Sequence, residues 1–177
     1  LYYLHGGGMV MGHARQRLDY VLGWARELGA AVVSIDYRLA PEHPYPAAVD
    51  DGVAGMAWIA AHARGAGIDP ERVVVVGFSG GGALAAGLTQ RLRDARSPIS
   101  PDIQSPRLVG QMLVCPMLDD RGDTVSAAQF ARSGSWDRDT NEAAWTHVLG
   151  ARRGTADVPG HAAPARAGDL SGLPPAY

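Results

Sequence analysis

The chain has 177 residues, a formal net charge of -2, 46% hydrophobic and 19% charged residues. That is one domain with a real core, too apolar for disorder. It has neither the basic block that nucleic-acid binding needs nor the run of ~18 apolar residues that spans a membrane. All 16 cationic residues are Arg. This excludes a Walker A loop, a Schiff-base enzyme and a Ser-Lys dyad, which all need an amine. Cys115 is the only cysteine, so an internal disulfide and a multi-Cys zinc site are excluded too.

Leu1 to Leu4 (LYYL) is an apolar run that reads as a strand, and a domain opening inside a strand implies a missing upstream segment. Arg15 to Gly29 reads as a helix, with Leu18, Val21, Leu22 and Ala25 on one face and Gly29 at its C-cap. Ala30 to Tyr37 reads as a buried strand. Pro41, Pro44 and Pro46 forbid regular structure up to a helix over Ala47 to Arg64. Asp69-Pro70 marks a turn, and Arg72 to Val76 a β-branched strand. Gly80 to Arg93 reads as a helix striped by Leu84, Leu88 and Leu92. Ser97 to Pro106 is a proline-rich loop and Leu108 to Cys115 another strand. Arg138 to Leu149 is a further helix, followed by a Gly/Pro/Ala-rich coil. Alternating strands and helices predict an α/β fold, a mainly parallel sheet with helices on both faces. Right-handed crossovers then gather the strand C-termini, and any site, at one edge.

Two motifs carry chemistry. Gly77-Phe78-Ser79-Gly80-Gly81 is a G-x-S-x-G sequence between a strand and a helix. Composition alone would produce about 0.15 such matches in this chain, so the flanking elements give the motif its weight. A serine on so sharp a turn is strained, and Gly77 and Gly81 provide room for it at the positive end of a helix. The bland alternative is a glycine-rich turn that lets helix and strand pack closely. His5-Gly6-Gly7-Gly8 directly follows the first strand. Three glycines there can aim backbone N–H groups at a developing oxyanion, with the N–H of Gly80 as a third donor. Alone, such a run would be a flexible loop. His5 reads as a brace for that loop rather than a base.

Taken in order, HGGG, Asp36-Tyr37-Arg38-Leu39-Ala40-Pro41-Glu42-His43, GFSGGG and Pro116-Met117-Leu118-Asp119-Asp120-Arg121 resemble the hormone-sensitive-lipase family of α/β-hydrolases. These are the bacterial esterases and lipases also called family IV. Ala163 to Arg166 and Leu173 to Pro175 fit the same pattern. The resemblance implies an α/β-hydrolase fold with Ser79 as nucleophile and Gly7, Gly8 and Gly80 as oxyanion donors. It implies hydrolysis of small carboxylic esters with short or medium acyl chains. No cofactor and no metal are needed, and a cytoplasmic location is expected. Met9, Val10 and Met11 would line the acyl pocket or belong to the core. Gly6, Gly77 and Gly81 shape the two turns, while Glu42 and Asp120 are expected as structural supports. Phe78 departs from the pattern, which usually has an acidic residue before the serine.

In this fold the triad runs in the order Ser, Asp, His. Only His147 and His161 follow Ser79, the first in a predicted helix and the second in coil, and neither fits the family's histidine position. The expectation is therefore a partial catalytic domain over residues 1–177, truncated at both ends. An N-terminal lid segment and the C-terminal acid and histidine would lie outside it. Two other readings remain. A receptor-like member of the fold could keep the serine and bind without catalysis. Gly80-Gly81-Gly82-Ala83-Leu84-Ala85 also satisfies G-x-G-x-x-[GA], the loop of a dinucleotide-binding oxidoreductase.

Overall fold

The computed structural model describes residues 1–95 and 106–177, so the expected loop from Ser97 lies, apart from Pro106, outside the described residues. One sheet contains β1 (Tyr2–Leu4), β2 (Val33–Ser34), β3 (Val73–Phe78) and β4 (Leu108–Val114) in the order β2-β1-β3-β4, with every pair parallel. The connecting helices are α1 (Leu18–Leu28), α2 (Ala47–His62) and α3 (Gly80–Ala95). Two more, α4 (Val125–Gln129) and α5 (Arg138–Leu149), follow β4 with two short 3₁₀ turns.

Strand alternation assigns the faces. Tyr2, Leu4, Val73 and Val75 point into the larger core with α2 and α3, whereas Tyr3 and Val76 point into a smaller one with Val21 of α1. Helices thus cover both faces of a parallel sheet, as expected. α1 ends where Gly29 adopts φ 60°, a conformation that costs glycine little. Leu22 of its predicted stripe is 38% exposed. The expected strand over residues 30–37 shrinks to Val33–Ser34, after which the chain leaves the sheet edge and the Ala40 N–H bonds the Met9 carbonyl. The C-terminal stretch is not all coil. The Gln111 N–H donates to the Pro175 carbonyl at 2.8 Å and the Tyr177 N–H to the Gln111 carbonyl at 3.0 Å, extending the sheet beyond β4.

The strand order positions the site. The chain leaves β1 outward to β2, then returns across β1 to β3, and the two crossovers place α1 and α2 on opposite faces. β1 and β3 therefore form the switch point where an α/β sheet opens a crevice at its carboxyl edge. The loop after Leu4 and the turn after Phe78 emerge there side by side.

Candidate active site

Ser79 sits between β3 and α3 with φ 53°, a left-handed backbone that costs a non-glycine residue roughly 1–2 kcal/mol. Its backbone is fully bonded. The Ser79 N–H donates to the Val114 carbonyl at 2.9 Å, and the Ser79 carbonyl accepts from Gly82, Ala83 and Met117 N–H at 2.9–3.1 Å. The glycines around it have no room for side chains. A Cβ on Gly77 would lie 2.1 Å from the Gly81 carbonyl oxygen, and one on Gly81 would lie 2.2 Å from that of Leu4. Ser79 is partly buried, and its hydroxyl has no hydrogen-bond partner among the described residues.

The HGGG loop meets this turn directly. A Cβ on Gly80 would lie 2.7 Å from both N and Cα of Gly8. Gly7 and Gly8 adopt φ 109° and 63°, and their N–H groups and that of Gly80 meet no acceptor among the described residues. Three unspent donors thus lie on the two turns that meet beside Ser79. His5 is 1% exposed. Its Nδ1 lies 2.8 Å from the Gly6 carbonyl, and its ring stacks on Tyr37 with centroids 4.1 Å apart. The Tyr37 hydroxyl donates to the His5 carbonyl at 2.7 Å. Burial pushes the His5 imidazole below its ordinary pKa, only partly countered by the Gly6 carbonyl. These contacts make His5 part of the loop's frame.

The other expected site residues divide. Asp120 is buried, and Arg166 grips it with two bonds at 2.5 and 2.9 Å while the Gly154 N–H adds a third at 2.8 Å. Burial alone would raise its pKa, but these donors hold the carboxyl below its usual range. It fastens the loop after β4 to the Pro164–Arg166 turn. Glu42, in contrast, is exposed and holds nothing among the described residues. The support expected of it comes from its neighbours. Arg38 pairs with Asp51 at 2.8 Å, and the Ala40 N–H donates to the Met9 carbonyl at 2.9 Å. Met9 is buried and Met11 is 57% exposed, so the three apolar residues after the loop do not act as one wall.

His147 is exposed on the last turn of α5. His161 lies against Tyr45 and Arg91, with its carbonyl oxygen 2.3 Å from a Cβ built on Gly87. Gly87 is about 10 Å along α3 from Gly80. Phe78, where the resemblance leads one to expect an acid, stacks on Trp24 with centroids 6.1 Å apart and meets Tyr3 edge-on at 5.9 Å. An aromatic seat thus replaces local hydrogen bonding there. The glycines of the dinucleotide reading have a packing role in the fold. Cβ positions at Gly80, Gly81 and Gly82 fall within 2.9 Å of atoms of the His5–Gly8 loop, Leu4 and Pro116, so these glycines pack the serine turn against β1 and the loop after β4.

Comparison with known proteins decides the family. Residues 1–177 match the α/β-hydrolase fold family along their whole length. The chain belongs to that family. It is 40% identical over 179 residues to esterase LipI of Mycobacterium tuberculosis, covering 99% of this chain and 52% of the relative. It is 42% identical over 82 residues to human hormone-sensitive lipase, covering 46% of this chain and 8% of that protein, which agrees with the branch inferred from the motifs. A bacterial heroin esterase superposes with a TM-score of 0.91 at 41% identity, covering 99% of this chain and 54% of that one. The chain spans about half the length of LipI and of the heroin esterase.

Two residues of this α/β-hydrolase domain escape motif reading. Tyr37 lies in a quoted motif, yet its stack on His5 is invisible in one dimension. Trp136 packs against Gly8, with its Cη2 2.3 Å from a Cβ built there. The available signal was a lone large aromatic in a Ser/Gly stretch just before the N-cap Asp137.

Proposed function

We propose that the protein is a carboxylic ester hydrolase acting through a serine acyl-enzyme on esters with short to medium acyl chains. The observation that carries this is the meeting of two turns. Ser79, strained at φ 53°, lies beside a glycine loop whose N–H groups are unspent. The names of the similar proteins, esterases and lipases, support the same reading.

Ser79 Oγ attacks the ester carbonyl while a histidine removes its proton. The tetrahedral oxyanion sits between the N–H groups of Gly7, Gly8 and Gly80. The alcohol departs with that proton, and water then releases the acid from Ser79. On this reading the histidine and its acid lie outside the 177 residues, in the half of the fold that LipI and the heroin esterase have in addition. The placement of His147 and His161 supports this.

The test is Ser79→Ala in the complete protein, assayed with p-nitrophenyl acetate and butyrate. Activity should fall by several orders of magnitude, because the attacking atom is gone. A serine-directed phosphonate should label Ser79 in the unmutated protein. Retained activity, or labelling at another residue, overturns the proposal.

A further inference from the structure

The loop that carries Gly8 is held from two sides, and only one of them belongs to the serine turn. On one side lies Gly80, whose Cβ position is 2.7 Å from Gly8 N and Cα. On the other lies the segment that leads into α5. A Cβ on Gly8 would lie 2.3 Å from Trp136 Cη2, 2.9 Å from its Cζ2 and 3.2 Å from the Ala144 Cβ. Gly8 is therefore clamped between the turn beneath it and an indole edge above it. The indole is itself tied down. Trp136 Nε1–H donates to Asn141 Oδ1 at 3.2 Å, and the Asn141 N–H donates to the Asp137 carbonyl at 3.0 Å. The ring is thus fixed to the first turn of a helix whose Ala144, Trp145 and Val148 lie in the core. The same ring lines an open cleft with Phe130, Arg138 and Asn141.

We infer that Trp136 is a positioning residue: it holds the Gly8 N–H in its seat beside Ser79, acting on the reaction through the loop. This rests on the esterase reading above. An oxyanion donor acts only where charge develops in the transition state, and loss of one typically costs ~10²–10³ in kcat. A displacement of about 1 Å in such a group can cost ~10². Removing the indole edge leaves Gly8, flexible by nature, with one wall in place of two.

The experiment compares Trp136→Ala, Trp136→Phe and Gly8→Ala in the complete protein on p-nitrophenyl acetate and butyrate, with Ser79→Ala as control. Trp136→Ala should lower kcat by roughly tenfold to a hundredfold on both esters, with KM changed less than about threefold. Trp136→Phe fills most of the space but falls short of Gly8. It should lose a smaller factor in kcat, again without a matching rise in KM, and it carries the test if Trp136→Ala does not fold. Gly8→Ala places a methyl against the indole, so its cost in kcat/KM should shrink at least about fivefold when Trp136 is also Ala. Unchanged kcat in a folded Trp136 variant overturns the inference. So does a loss confined to KM and growing with acyl length, which would make Trp136 a wall of the cleft only. Strict additivity with Gly8→Ala overturns it as well. Each of these results leaves the esterase reading standing provided Ser79→Ala is inactive; an active Ser79→Ala instead strikes that reading itself.

Discussion

At Gly80 a single hydrogen atom decides the geometry. Its Cβ position is 2.7 Å from the Gly8 backbone, so any side chain would push the HGGG loop away from the serine turn. His5 acts on the same loop from below. It is buried, and burial lowers its pKa, so the folded protein prefers the neutral ring. Between the folded value and the ordinary value near 6.5, the unfolded chain binds a proton that the folded chain does not. Stability therefore falls as pH drops below about 6.5 and levels off only once the folded ring also protonates. His161 shifts in the same direction through burial and the nearby Arg91 charge, so the slope has two contributors. His5→Asn removes one while keeping a donor for the Gly6 carbonyl. Urea midpoints at pH 7.5, 6.5 and 5.5 should fall less steeply in His5→Asn than in the wild type. Equal slopes would mean that His5 is protonated as readily in the folded state as in the unfolded one.

Among the elements, the segment after β4 depends most on one pair. Asp120 is 1% exposed and bonded to Arg166 and to the Gly154 N–H. Asp120→Ala leaves a mostly buried guanidinium without its carboxylate, which costs about 3 kcal/mol. Because the folded pKa of Asp120 is depressed, the pair's contribution is complete above the unfolded value near 3.9 and is lost as pH falls through the folded one. Urea unfolding of Asp120→Ala should thus show its full deficit at pH 7 and converge on the wild type in strong acid. A deficit that persists unchanged in acid would assign the loss to packing instead. Elements with clear periodicity were legible in the sequence. α5 was expected over Arg138 to Leu149, the range it occupies, and the leucine stripe of α3 is buried. α4 was not legible. Val125-Ser-Ala-Ala-Gln is too short for a periodic face, and its signal is only the Thr124 cap, whose Oγ1 accepts the Ala127 N–H at 3.2 Å. The long β2 expectation failed because β-branched composition cannot show where a chain at a sheet edge turns away. The serine turn and the glycine loop were legible because strained backbone needs glycine at fixed spacings. Trp136 and Tyr37 were not, since each acts through a contact more than thirty residues away in the chain.

For the molecule as a whole, the proposed function gives the 177 residues two of the three functional groups that a serine esterase needs. Ser79 and the loop N–H groups come from β1, β3 and their turns, whose positions depend on the sheet described here. The base does not. The Ser79 hydroxyl has no partner among the described residues, His147 is exposed on α5 and His161 packs well along α3 from the turn. A serine without a base is a poor nucleophile, though binding and an oxyanion site alone can leave ~10³–10⁴ of acceleration over water. On the proposed function, the purified 177-residue chain should hydrolyse p-nitrophenyl acetate orders of magnitude more slowly than the complete protein, at a folded concentration verified by circular dichroism. Measured above the rate of protein-free imidazole, added imidazole should recover part of the rate in the chain and none in its Ser79→Ala variant, since within the site it can stand in for the base but not for Ser79. Equal rates for chain and complete protein would place the base within these residues. His161→Ala and His147→Ala would then show which of the two serves.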